Sequence, residues 1–370
     1  MTLRRLFYGI FLCAAPAIIN TGASFSKLKS LSGYLPGTTK ELIEMDDLGI
    51  KLIKKIHDQK TLIDLLPIIG GCASLQSINL DHQGLVPKDL DLFDHLPESL
   101  QLDELSVKDN NVGSHGSQHL MEIAQRHQIT HLNLWNTGLE PRNIEIISQM
   151  LPNSPIRHLN LGANPLTQES ARSLAQAFSG SPKLESLNLA ENLFDQNVFE
   201  IIIRALPSSN LAYLNLASNE INASRIELLT IILPQTKIKS LVLDYNPLGS
   251  KGMEKLAAQL PKTHIEVLSL ADTKPESMGL LALTRKLNES KITELILREN
   301  TFGHGSSSLY RDDAIIFLNK TLECADHKIK TLDISSVPMG IGACNHLKQI
   351  CRFQKIDLTI TTPELGYSRG

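Results

Sequence analysis

Apolar residues recur in one frame along most of the chain. In the stretch LAYLNLASNEI, Leu211, Leu214, Leu216 and Ile221 are apolar and Asn219 is the fixed polar member. Leu214 and Leu216 alternate as the residues of a short strand do, because successive strand side chains point to opposite faces. The same frame starts at Leu75, Leu102, Ile129, Ile156, Leu184, Leu211, Ile238, Ile265, Ile292 and Ile329, with a shortened copy, FQKIDL, at Phe353. Successive starts from Leu75 to Ile292 are 27 residues apart except for one step of 28, and the step to Ile329 is 37. Between frames the apolar spacing becomes helical. Ile226, Leu229 and Leu233 precede Pro234, and Ala171, Leu174, Ala175 and Phe178 repeat the spacing, as do Met253, Leu256, Ala257 and Leu260, and Ile144, Ile147 and Met150. The pattern predicts a repeating unit of strand, turn and helix. One unit cannot enclose a core, but stacked units share one. Strands stack at ~4.8 Å and helices at ~8–10 Å. The helix side must therefore fan out, so the array bends with its parallel sheet on the concave face.

The frame L-x-x-L-x-L-x-x-N-x-L resembles that of leucine-rich repeats, and the spacing of 27–28 is most similar to the ribonuclease-inhibitor type. The resemblance covers about residues 75–360. It implies an α/β solenoid, a right-handed β-α superhelix of horseshoe form, with a parallel concave sheet and convex helices. An Asn where the chain turns inward can both donate to and accept from buried backbone groups. In the family this column forms a ladder between successive turns, a role that the resemblance carries to Asn110, Asn164, Asn192, Asn219, Asn246 and Asn300. Gln83, Thr137, Thr273 and Val337 depart from the column. Thr substitutes in part; Val337 cannot, which predicts an irregular turn near the C-terminus.

The rest of the chain is organised around this array. Residues 24–74 lack the frame, and ELIEMDDLGIKLIKKI and TLIDLLPII read as amphipathic helices, so a helical N-terminal cap is expected there. Repeats follow over 75–340, about ten of them, with an insertion at 303–312 that is expected as a loop; residues 341–370 form a C-terminal cap and tail. Ile341–Cys351 is expected as the last helix and Phe353–Leu358 as the last strand. Residues 1–23 have the layout of a secretory signal peptide: Arg4 and Arg5, an apolar stretch Leu6–Ile19, then Thr21-Gly22-Ala23 as a cleavage triplet. Fourteen apolar residues are short for a ~30 Å hydrocarbon layer. An apolar first helix of the cap and a signal-anchor are the other readings. Export, periplasmic or secreted, is the expectation, with no membrane insertion after cleavage; without a signal the chain is cytoplasmic.

Composition narrows the chemistry. With 370 residues, 42% hydrophobic content and a net charge of −3, the chain has ample core, and its near-neutral charge lends no support to nucleic-acid binding. There is no H-E-x-x-H, G-x-S-x-G or G-x-x-x-x-G-K-[ST], so no catalytic residue, metal or cofactor is expected. Cys324-Ala-Asp326 resembles the Cys-x-Asp motif of bacterial leucine-rich-repeat ubiquitin ligases, but it lies inside the array. Cys13 leaves with the signal. Cys344 and Cys351 stand ~10 Å apart along one helix, too far for a disulfide. A bond from Cys324 to one of them, or free thiols including Cys72, are both open.

What remains is surface. The columns beside the buried Leu pairs face the concave side. His131 and His158 occupy equivalent positions in adjacent strands; with no carboxylate or thiol read as joining them, they are expected as surface residues rather than a metal pair. Trp135 is the single Trp and falls outside the core frame; either Gly162 and Ala190 beside it leave room for a partner, or its ring covers the neighbouring strand. Trp135, His131, His158, Tyr213, Tyr245 and Arg298 are therefore the candidate partner-binding residues, joined by Tyr310 and Arg311 of the insertion. The expected function is a monomeric, non-enzymatic scaffold that binds a protein on its concave face, of the exported, bacterial effector kind. The alternative is a GTPase-activating protein of the Ran type, which resembles this chain in architecture but carries an acidic tail.

Overall fold

Each apolar frame closes into a three-residue strand. The structure, a computed structural model, describes residues 43–45, 49–52, 75–302, 311–324 and 326–361. The repeat strands are β3 (Ser77–Asn79), β4 (Glu104–Ser106), β5 (His131–Asn133), β6 (His158–Asn160), β7 (Ser186–Asn188), β8 (Tyr213–Asn215), β9 (Ser240–Val242), β10 (Val267–Ser269), β11 (Glu294–Ile296), β12 (Thr331–Asp333) and β13 (Asp357–Thr359). Two further strands precede them, β1 (Ile43–Met45) and β2 (Gly49–Leu52). All thirteen form one sheet in strict chain order, antiparallel at β1–β2 and parallel at every later step. The register never slips. Ile78, Leu105, Leu132, Leu159, Leu187, Leu214, Leu241, Leu268, Leu295 and Leu332 stand side by side, and all are buried.

Nine helices lie between the strands among the described residues. They are α1 (Gly113–Arg126), α2 (Pro141–Met150), α3 (Gln168–Gly180), α4 (Gln196–Ala205), α5 (Arg225–Ile232), α6 (Gly249–Gln259), α7 (Glu276–Leu287), α8 (Arg311–Glu323) and α9 (Ile341–Gln354). In α4 the start is set by Asp195, whose carboxylate accepts the Val198 N–H at 2.7 Å, and the buried stripe is Val198, Phe199, Ile202 and Ile203. The stop recurs between repeats. Leu151-Pro152, Leu206-Pro207, Leu233-Pro234 and Leu260-Pro261 each end a helix in one turn of 3-10 helix. A Ser or Thr then donates its hydroxyl to the Leu carbonyl: Ser154, Ser209, Thr236 and Thr263, at 2.7–2.8 Å. Ser290 does the same to Leu287 without the proline. The chain thus leaves each helix and re-enters the sheet with its buried backbone oxygen satisfied.

Four expectations need correcting. Within the segment expected as a helical cap, residues 43–45 and 49–52 are strands. β2 pairs with β3, and β1 folds back on β2, so the first repeat's edge is closed by hydrogen bonds that a helix could not supply. The remainder of 24–74, the signal reading at 1–23, and Tyr310 lie outside the described residues. The insertion is helical by Arg311, where α8 begins. The last helix runs on to Gln354, with Lys355 at φ 59 as its left-handed cap, so only Asp357–Thr359 of the expected final strand is a strand. The turn at Val337 is regular. Its predecessor Ser336 has φ 58, as His82, Asp109, Ala163, Ser218 and Tyr245 do at the equivalent place, and the Ser336 N–H reaches the Thr361 carbonyl at 2.8 Å. Backbone pairing with the next strand holds the turn, so an apolar Val337 is accommodated in the core.

Candidate partner-binding face

The Asn column is a buried ladder. Asn219 is fully buried; its Oδ1 accepts the Asn192 N–H at 3.0 Å and its Nδ2 donates to the carbonyls of Leu189, Leu216 and Ala217. Asn246 Oδ1 in turn accepts from Asn219 and Ile221, and Asn192 Oδ1 from Asn164. Asn110 and Asn300 make the same reach to the Leu80 and Leu270 carbonyls of the preceding repeat. Thr137 and Thr273 substitute in part, each donating to the carbonyl three residues back while its N–H is taken by the next Asn. The polar residue at this fixed offset satisfies backbone groups of two successive turns where water cannot reach.

A second ladder lies on the concave face itself. The side-chain oxygens of Asn79, Asn133, Asn160, Asn188, Asn215 and Asp333 each accept the N–H two residues on, at 2.9–3.1 Å. In β4 and β10 this position is Ser. There an Asp of the preceding repeat takes over. Asp81 Oδ1 accepts Ser106 Oγ at 2.5 Å and Lys108 N at 2.9 Å, and Asp244 Oδ1 accepts Ser269 Oγ at 2.6 Å and Ala271 N at 2.9 Å. Burial pushes the Asp244 carboxyl up from its ordinary value, opposed by these bonds and by Arg298. Sequence reading missed Asp81 and Asp244; the available signal was an Asp one repeat ahead of each Ser.

The candidate binding residues fall into two groups. His131 and His158 are register partners whose rings stack with centroids 4.0 Å apart and planes 7° from parallel. Glu104 is the register partner of His131 on the other side. Burial raises the Glu104 carboxyl, with Asp81 adding to the effect. Tyr213 follows two strands along, half-buried between Ser186 and Ser240. The second group is Asp244, Tyr245, Arg298 and Glu299. Tyr245 is 43% exposed and its hydroxyl donates to Glu299 at 3.0 Å, two repeats away, while the Arg298 guanidinium reaches Asp244 at 3.5 Å. The Arg311 side chain lies outside the described residues.

Trp135 covers the neighbouring strand and leaves no open room beside it. Its ring lies directly across Gly162, where a Cβ would stand 2.2 Å from two ring carbons, and Lys108 Nζ sits 5.5 Å from the ring centroid. The room beside Trp135 is filled by its own ring. It is a half-buried plate on the sheet, fixed by glycine beneath and a cation beside it.

Other chemistry is sparse among the described residues. Asp91, Asp94 and His119 bring donor atoms within 4.8 Å of one another, but Asp94 is already paired with Arg126 at 2.8 Å and His119 at 3.1 Å. Cys324, Cys344 and Cys351 are free thiols, Cys351 pushed up to about 11 by burial. No described helix is long and apolar enough to cross a membrane.

A family model described as "Leucine Rich repeat" matches residues 235–257, which span β9, the turn with the Asn246 ladder residue and most of α6. The chain is built of leucine-rich repeats. Among solved structures it is similar to the leucine-rich repeat-containing protein LegL7 from Legionella pneumophila, with 19% identity and a TM-score of 0.53, over 82% of this chain and 97% of that one. It is also similar to TLR13 in its complex with ssRNA13, with 16% identity and a TM-score of 0.44, over 82% of this chain and 45% of that one. At 19% identity the likeness to LegL7 is one of fold. No curated protein matches the chain.

Proposed function

We propose that this leucine-rich-repeat solenoid is a non-enzymatic scaffold that binds another protein on its concave face. The supporting observation is the arrangement on β5, β6 and β8. His131, His158 and Tyr213 lie on a sheet whose backbone is already hydrogen-bonded, Trp135 follows β5 and lies flat across Gly162, and the His131, His158 and Trp135 rings rest on neighbours in the same chain. A surface held in this way loses little freedom when a partner docks, which favours affinity. Aromatic groups on such a surface are the usual anchors of an interface. Tyr245 and Arg298, tied to Glu299 and Asp244, form a second anchor region further along the same face.

Export is part of the proposal and rests on residues 1–23; the setting that fits it is a bacterium delivering the protein to a host. The test is affinity capture by the chain, comparing wild type with Trp135→Ala, Tyr213→Ala and a form lacking 303–312. Loss of a partner from either point variant supports the concave assignment. Equal recovery by all forms removes it. N-terminal sequencing from the native source reads the export claim separately, through a free end near Ser24.

A further inference from the structure

Two imidazoles stacked at 4.0 Å form a contact that depends on charge. Neutral rings pack face to face; two imidazolium rings at the same distance repel. The groups facing the pair relieve that conflict only in part: Asp103 and Glu185 favour the charged form of His131, and Glu185 that of His158, but burial outweighs them. From β4 and its approach come Asp103 and Glu104, from the approach to β5 Thr130, from the approach to β6 Arg157, and from β7 and its approach Glu185 and Ser186. Asp103 engages the His131 segment through its backbone carbonyl, which accepts the N–H groups of Thr130 and His131. The Glu185 carboxylate is taken by Arg157 at 2.5 Å. Thr130 Oγ1 and His131 Nδ1 stand 2.9 Å apart, a bond in which a neutral ring accepts or donates according to its tautomer and an imidazolium only donates. Burial disfavours the charged form of both rings, holding each below 6.5, and His131 adds to the depression at His158.

We propose that His131 and His158 form a proton-operated pair on the concave face, stacked and uncharged near neutrality, and charged and separated on acidification. Acid then changes both the shape and the sign of a surface that Glu104 and Glu185 border. The inference requires no partner, and its failure leaves the binding proposal standing.

The test is histidine ring NMR on the whole chain through an acid titration, with His131→Gln and His158→Gln to assign the two rings among the 12 histidines. In wild type both rings are expected to titrate below 6.5, in two coupled steps. Each single variant should move the remaining ring's midpoint upward and leave one simple step. Ring-to-ring contact in wild type should be lost as the first proton binds. A remaining ring that titrates unchanged after its neighbour is replaced overturns the proposal. So does ring contact that persists through both steps, a reading that needs no variant.

Discussion

Asn219→Ala isolates the buried ladder from everything else in the repeat. The substitution removes one acceptor and two donor protons and adds no bulk. In the native chain Asn219 accepts the Asn192 N–H and donates to the carbonyls of Leu189, Leu216 and Ala217. Asn219 and the backbone around it are buried, so water does not replace what is lost. Leaving a buried polar group unsatisfied costs about 1–3 kcal/mol. With an N–H and at least one carbonyl orphaned, about 3–4 kcal/mol is expected, comparable to a Leu→Ala cavity in a core. Asn215→Ala is the control, because the Asn215 oxygen accepts one bond, from Ala217 N, and a concave-face N–H is nearer to water. It should cost about 1 kcal/mol. Urea unfolding gives the two midpoints, and hydrogen exchange gives the local signature, since the Asn192 amide should lose protection in Asn219→Ala and keep it in Asn215→Ala. Equal costs for the two variants, or an Asn192 amide as protected as before, would refute the argument that satisfying buried backbone is the purpose of the column.

Gly162→Ala should force Trp135 off the sheet, because a Cβ there meets the ring at 2.2 Å; the fluorescence of this single Trp should shift to the red, and stability should fall by about 1–3 kcal/mol. Stability should depend on pH with a sign set by the two histidines. Because their folded pKa values lie below the ordinary 6.5, the unfolded chain binds protons first, so stability is full above 6.5 and declines as pH falls below it. The double variant His131→Gln/His158→Gln should flatten that slope in urea titrations. Glu104, Glu294 and Asp244 carry the opposite sign, since burial raises their carboxyls and their unfavourable contribution disappears as they protonate. Asp244→Asn should therefore weaken the acid-side compensation, while Asp244→Ala should destabilise at neutral pH by leaving the Ala271 N–H and Ser269 hydroxyl unpartnered, a loss of about 1–3 kcal/mol read by thermal unfolding.

How much of this was legible beforehand depends on the range of the interaction. The frame from Leu75 to Ile329 determined the strands, the helices between them, the bend and the Asn ladder, because each follows from periodicity and from the need to satisfy backbone inside a shared core. It also determined which residues share a column, since an unbroken repeat keeps the sheet in register. Tertiary structure alone decided what those residues do with one another. A repeat states where Asp244 stands but not that its carboxylate serves Ser269 25 residues later and meets Arg298 54 residues later. Nor does it say that Trp135 lies down over Gly162, that the two histidine rings stack, or that an edge strand pairs with Gly49–Leu52. Position along a repeat is a one-dimensional property that periodicity carries. The direction of a side chain, and the neighbour it chooses, depend on the space left by adjacent repeats, which no single frame contains.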